Sequence, residues 1–296
     1  MSQNLQHTLA RPASVSGVGV HTGRTMRATL SPAPANAGVA FLRTDVPGRD
    51  GRVAARGDLV TDTCLGTVVG NAAGITVATI EHLMAALHGL GVDNVLVTLD
   101  GPEVPILDGS CAGFVEAIES AGLREQPARR RYLEILEPIE VREGVKRAAL
   151  LPSDAFEMAF EILFEDAAVG RQRLDMVVDE AAFRRDLASC RTFGFKRDVE
   201  ALRAAGLARG GSLDNVVVID EGKILNPEGL RRPDEFVRHK ALDALGDLYL
   251  LGAPLIGRFE GLFAGHRLNN ALVRKVLDTP RAWRYAAAPQ SLARAV

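Results

Sequence analysis

His239 and Asp243 stand one turn apart on a helix predicted over Asp234 to Leu250, and Asp247 continues the same column. An imidazole and a carboxylate at i, i+4 are spaced to grip one metal ion. Val237, Ala241, Ala244, Leu245 and Leu248 cluster on the opposite side, so on spacing alone a solvated face of an amphipathic helix accounts for the column better. Glu81 and His82 open a second predicted helix, Ile80 to His88, with Thr79 placed to cap it. Imidazole there could be a third ligand, with the neighbouring carboxylate pointing elsewhere, free to act on a water. Taken alone, the pair reads better as a first-turn glutamate complementing the helix dipole beside an ordinary core or surface histidine. Together the elements support each other: two His and one Asp make a three-ligand site with an open fourth position, as a hydrolytic zinc site needs. The free carboxylate supplies a general base. His266, where a strand Leu255 to Ala264 gives way to a last helix, could serve as an acid or simply enter the helix in solvent.

Other familiar shapes fail on spacing. Gly17 to Gly23 resembles a dinucleotide loop, but a period-2 strand follows where a helix is required. Gly109-Ser110-Cys111-Ala112-Gly113 puts its serine one place early for a nucleophile elbow, and Ala78 stands where an inverted zincin motif needs histidine. Nothing calls for a thiol, and His21 and His88 have no role readable from spacing.

The elements that must position these residues fall into two stretches, each with strands first and helices later. Thr25 to Leu30, Gly38 to Arg43, Ile75 to Ala78 and Asn94 to Leu99 read as strands, and Gly109 to Ser120 as a helix capped by Asp108 or Ser110. A seam at Glu125 to Arg131 separates these from strands Tyr132 to Ile139, Arg147 to Leu151 and Phe156 to Phe164. A helix Glu180 to Ser189 and a unit Asp198 to Ile219 follow; the latter has no counterpart earlier and reads as an insertion. Glu81-His82 and Arg238-His239 occupy the same place in the two plans, so a duplicated domain would bring both histidines to where the halves meet. The expected division is 1–126 and 131–296.

Length fits two domains. The 35 Lys+Arg and 37 Asp+Glu nearly cancel, at −2, so no basic field draws the chain to nucleic acid or an anionic membrane. With 47% hydrophobic and 24% charged residues the composition is that of a soluble globular protein. Three scattered cysteines fit a reducing compartment. Met1 to Ala13 lacks an apolar core, so no signal peptide is expected. The longest uncharged run, Thr63 to Ile80, is too rich in Thr and Gly to span a membrane. A cytoplasmic monomer without stable membrane insertion is expected.

Thr79-Ile80-Glu81-His82-Leu83, Gly91-Val92-Asp93-Asn94, Pro105 to Ser110, Arg191 to Phe195, Gly210-Gly211-Ser212 and Phe236 to Asp247 resemble, in order, the bacterial UDP-3-O-acyl-N-acetylglucosamine deacetylases. So do Ser16 to Gly23, Gly265-His266 and Asn269-Asn270, and the resemblance runs through most of the chain. It implies an α+β fold of two similar domains, each a β-sheet layer on a pair of helices with a small insertion, and an active site between them. It implies a zinc-dependent amidase removing the N-acetyl group from a UDP-linked, 3-O-acylated glucosamine, the committed step toward lipid A in Gram-negative bacteria. His82, His239 and Asp243 would hold zinc, or iron. Glu81 would be the base, Thr192 would stabilise the oxyanion, and His266, held protonated by Asp247, would steady that charge or protonate the departing amine. Lys240 would lie near the diphosphate. The insertion, about 195–218, would form an acyl passage lined by Val199, Leu202, Leu207, Gly211 and Val218, with Phe193 and Phe195 beside it and Phe164 stacked on uracil. Two other readings are carried: a zinc amidase on another acylated sugar or a peptide, and a non-catalytic sugar-nucleotide-binding relative.

Overall fold

Thr25–Pro32 buries Met26, Ala28 and Leu30 and leaves Thr25 and Arg27 outside, the period of two that makes a one-sided sheet. The computed structural model describes residues 4–288; the ends of the expected division, 1–3 and 289–296, lie outside them. Thr25–Pro32 pairs with Ala13–Val18 and with Val95–Leu99, and Val95–Leu99 runs parallel to Val39–Arg43, which carries Arg52–Ala54 at the edge. A second sheet orders Ile139–Glu143, Lys146–Leu151, Leu255–Leu262, Tyr132–Ile135 and Trp283–Ala286, with Phe156–Leu163 parallel to Leu255–Leu262. Arg171–Val177, a strand the sequence reading passed over, pairs with Phe156–Leu163. Small three-stranded sheets lie at 60–77 and 193–224. The mixed α+β class is as expected.

The helices are α1 (Glu81–Gly89), α2 (Ala112–Ala121), α3 (Glu180–Ala182), α4 (Val199–Ala204), α5 (Glu235–Leu248) and α6 (His266–Leu277). α5 is buried almost all round, Arg238 and Lys240 excepted. The solvated-face account of His239, Asp243 and Asp247 is therefore wrong: at 2%, 3% and 2% exposure they face protein. α1 packs directly on α5 because Gly246 has no side chain, and a Cβ there would sit 2.0 Å from the Glu81 carbonyl oxygen. Glycine inside a helix costs up to about 1 kcal/mol against alanine. Here it permits the approach that sets Glu81 and His82 beside Asp243.

Four local expectations need correction. The seam is no loop: Leu123–Arg129 is a strand antiparallel to Leu5–Leu9, with Pro127 at the irregularity where the register shifts, a place where a missing N–H costs no ladder bond. Tyr132 to Ile139 breaks into Tyr132–Ile135 and Ile139–Glu143 around Pro138. The helix from Glu180 widens after one turn, with Ala188 N–H donating to Phe183 O at 2.9 Å. None of the three expected cap residues holds the N-cap position: Ile80 and Cys111 hold it in α1 and α2. Ser110 Oγ does accept from Ala112 N–H at 3.1 Å. Thr79 instead sits at φ 58° and donates its hydroxyl to Glu103 at 3.0 Å.

His88, near the end of α1, lies against Phe156 and Tyr249 with a buried Nδ1 that has no hydrogen-bond partner. Burial, then the nearby Arg130, pull its pKa down to about 3. The native imidazole stays neutral where the unfolded one takes up a proton, so its stabilising effect is whole above about 6.5 and is lost as pH falls toward 3. At pH 4.5 the loss is on the order of 2 kcal/mol. A His88→Leu variant should show a smaller drop in urea midpoint between pH 7 and 4.5 than the parent. An equal drop would acquit His88.

Candidate metal centre

The first turn of α1 and the middle of α5 bring three donor atoms together. His82 Nε2 lies 3.4 Å and His239 Nε2 3.3 Å from Asp243 Oδ1, and one ligand atom from each of the three residues falls within 4.8 Å of the others. That oxygen is buried and accepts no hydrogen bond. A tetrahedral ion with bonds of about 2.0–2.1 Å holds its ligand atoms roughly 3.3–3.4 Å apart. The residues present therefore fit a metal, and the unpartnered oxygen is the atom such an ion would engage. His239 Nδ1 lies 3.1 Å from the Cys190 carbonyl, so the proton sits on Nδ1 and the Nε2 lone pair faces inward. Burial holds the His239 pKa down at about 3, which keeps the ring neutral. Burial works against the Asp243 charge, but His239 and Lys240 outweigh it and hold the carboxyl well below its ordinary range.

Glu81 is 3% exposed. Its Oε2 accepts from Thr67 N–H at 2.9 Å, and its Oε1 lies 4.0 Å from His266 Nε2. Burial raises its pKa, the direction that makes a carboxylate a better proton acceptor. His266 enters α6 as expected, its Nδ1 2.9 Å from Asp247 Oδ2 and its Nε2 3.7 Å from Asp243 Oδ2. Burial pulls its imidazolium down, but Asp247, Asp243 and Glu81 overcome this and lift the pKa to about 9. Two supports were not singled out in the sequence. Thr67 bridges the pair, donating its N–H to Glu81 and its hydroxyl to Asp247 Oδ1 at 2.5 Å. Asn269 donates to Asp247 Oδ2 at 2.9 Å. Thr67 lies in a Thr- and Gly-rich run with no local signal, whereas Asn269 belongs to a quoted motif.

Thr192 is half-buried, its backbone held between Gly109 O and Val217 N–H, each at 2.8 Å. The corner it sits on is fixed by Arg191, whose N–H and Nε both donate at 2.9 Å to Glu235, a fully buried residue at the start of α5 that the sequence reading missed. Phe193 lies 6.4 Å ring to ring from His239 and packs with Phe164 at 5.5 Å, and Phe164 with Phe195 at 5.7 Å. Lys240 is not free: its Nζ donates to Asp243 Oδ2 at 2.6 Å. Val199, Leu202, Leu207, Gly211 and Val218 are all half-buried, and Val218 pairs with Gly194 in register. Cys190 is pushed up to about 12 and Cys111 well above its ordinary value by burial, so neither offers a thiolate.

The profile of the UDP-3-O-acyl N-acetylglycosamine deacetylase family matches residues 6–278. A protein of Phenylobacterium zucineum (strain HLK1) named UDP-3-O-acyl-N-acetylglucosamine deacetylase is 63% identical over 291 residues, 98% of this chain and 99% of that one. Proteins of the same name from Anaeromyxobacter sp. (strain Fw109-5) and Neisseria meningitidis (strain FAM18) are 52% and 45% identical, over 93% and 94% of this chain and 89% and 92% of theirs.

Proposed function

The chain belongs to the UDP-3-O-acyl N-acetylglycosamine deacetylase family, and from that membership we propose how its residues divide the work. It is an N-deacetylase, a hydrolase of an amide bond. Its substrate is UDP-3-O-(3-hydroxyacyl)-N-acetylglucosamine, cleaved to the free amine and acetate in the committed step of lipid A biosynthesis, and its place of work is the cytoplasm. His82, His239 and Asp243 hold one metal ion, zinc in the first instance. The observation that carries this is the buried Asp243 Oδ1, without a hydrogen-bond partner and 3.3–3.4 Å from two imidazole nitrogens.

When bound, zinc there polarises the acetamide carbonyl and makes water acidic enough to attack near neutrality. Glu81, outside the three ligands, takes the proton of the attacking water, its carboxylate aimed by Thr67 N–H. Thr192 offers a hydroxyl to the oxyanion. His266, kept protonated by Asp247, faces the same space and steadies the negative charge or hands its proton to the departing amine. Residues to 126 supply Glu81 and His82, and residues from 131 supply the rest. The half-buried apolar residues of 195–218 suit a fatty chain, Phe164 a uracil face. Lys240 meets the diphosphate only by giving up part of its contact with Asp243.

Acetate release by the purified chain, assayed as isolated, after chelation and after one equivalent of zinc, tests the reading. Activity should vanish on chelation and return with zinc. Equal activity on a sugar nucleotide without the fatty chain would favour a broader amidase. No activity in a zinc-loaded, folded sample would leave a binding protein.

A further inference from the structure

We infer that Glu103 is a positioning residue whose carboxyl group docks the 208–210 segment of the passage insertion onto the first half of the chain, through the loop 19–24. The inference rests on the reading of 195–218 as the acyl passage and adds what holds that passage in place. Glu103 is fully buried, yet it is neither a ligand nor a neighbour of one. Four donors converge on it: His21 N–H at 2.9 Å and the Thr79 hydroxyl at 3.0 Å on Oε1, Thr22 N–H at 3.0 Å and the Thr22 hydroxyl at 2.8 Å on Oε2. An ionised carboxyl group, which only accepts, matches four donors without conflict. The loop wraps so closely that a Cβ on Gly19 would lie 2.2 Å from Oε2.

The outer side of the same loop carries the insertion. Val20 O accepts from Gly210 N–H at 3.0 Å and His21 O from Arg209 N–H at 3.2 Å. A Cβ on Gly210 would come within 2.3 Å of Gly19 O, and one on Gly23 within 3.2 Å of the Arg209 backbone. Two backbone hydrogen bonds and backbone atoms in direct contact tie the two segments here, with Val18 packed against Gly210 and His21 Nδ1 accepting from Ala208 N–H at 3.5 Å, so the loop's position sets that of residues 208–210. Glu103 in turn sets the loop's position. This accounts for the glycine-rich stretch around His21, which the chemistry at the metal centre leaves unused, and for the place of Arg209, an exposed residue whose backbone does the docking.

Glu103→Gln keeps the size and turns one acceptor oxygen into a donor facing a backbone N–H. Thr22→Val removes the 2.8 Å hydroxyl bond to Glu103 and the 3.3 Å bond that Arg24 N–H donates to the same oxygen, and serves if the first variant folds poorly. Steady-state kinetics on long-chain and short-chain UDP-3-O-acyl-N-acetylglucosamine should show KM for the long chain raised about tenfold in Glu103→Gln. Its kcat should change little, and the short chain should be affected less. Hydrogen exchange at the Arg209 and Gly210 amides should quicken by a similar factor in both variants. A penalty equal on both chains, or exchange at 209 and 210 unchanged, would overturn the inference. Absence of any chain-length preference in the parent protein would instead overturn the passage reading beneath it, and the exchange result would still decide the docking.

Discussion

A Glu81→Gln variant is expected to lose about 10²–10⁴ of kcat while binding as much metal as the parent. Glutamine keeps the shape and leaves an oxygen to accept from Thr67 N–H, now at 2.9 Å from the carboxylate, so the local structure should hold. What it removes is the proton acceptor. The position is 3% exposed, and little bulk water reaches it to substitute. Metal should stay because the three converging ligand atoms belong to His82, His239 and Asp243. The check is acetate release together with metal content per chain by plasma mass spectrometry. Metal lost along with activity would make Glu81 a ligand, and activity within tenfold of the parent would place the base elsewhere.

His239→Ala should fail in the opposite order, losing the metal first and activity as a consequence. Structural zinc in small domains is held by about 10–16 kcal/mol over four ligands, so one imidazole accounts for roughly a factor of 10²–10³ in affinity. Removing it also leaves Asp243 Oδ1 without its nitrogen neighbour at 3.3 Å and frees the Cys190 carbonyl. Competition with a chromophoric chelator measures the affinity, and far-ultraviolet circular dichroism confirms that the chain is folded. Unchanged affinity in a folded sample would remove His239 from the site. Set side by side, the two variants separate a residue that holds the metal from one that uses it.

Both variants follow from spacings visible in the chain. His239 and Asp243 share a helix face by the 100° step alone, and Glu81 and His82, as immediate neighbours on another helix, must diverge. In the proposed mechanism, that divergence lets His82 bind while Glu81 acts. The alternating strands and the helix limits to within a few residues were also legible, because each depends on interactions only a few residues apart.

What spacing could not decide was which face of α5 met water. The apolar residues on its other side argued for a buried half and a wet half, and the helix turned out to be enclosed by α1, α6 and the second sheet. Gly246 is the reason, since it admits the Glu81 backbone, but a lone glycine in a helical pattern does not announce what it faces. The supports lay still further out of reach. Thr67 meets Asp247 across 180 residues and Glu103 meets His21 across 82, and Lys240 turns back onto Asp243. The seam at Glu125 to Arg131 carries no strand signal of its own, and most of it is a strand because Leu5–Leu9 lies beside it with donors and acceptors to pair. By itself, then, the sequence determined the candidate donor residues, their spacing and the elements that carry them, all set by local periodicity. Only the tertiary structure decided burial, and with it which carboxyl group is held down in pKa, which is raised and which backbone loop is tied down, because desolvation and long-range hydrogen bonds depend on what the rest of the chain brings alongside.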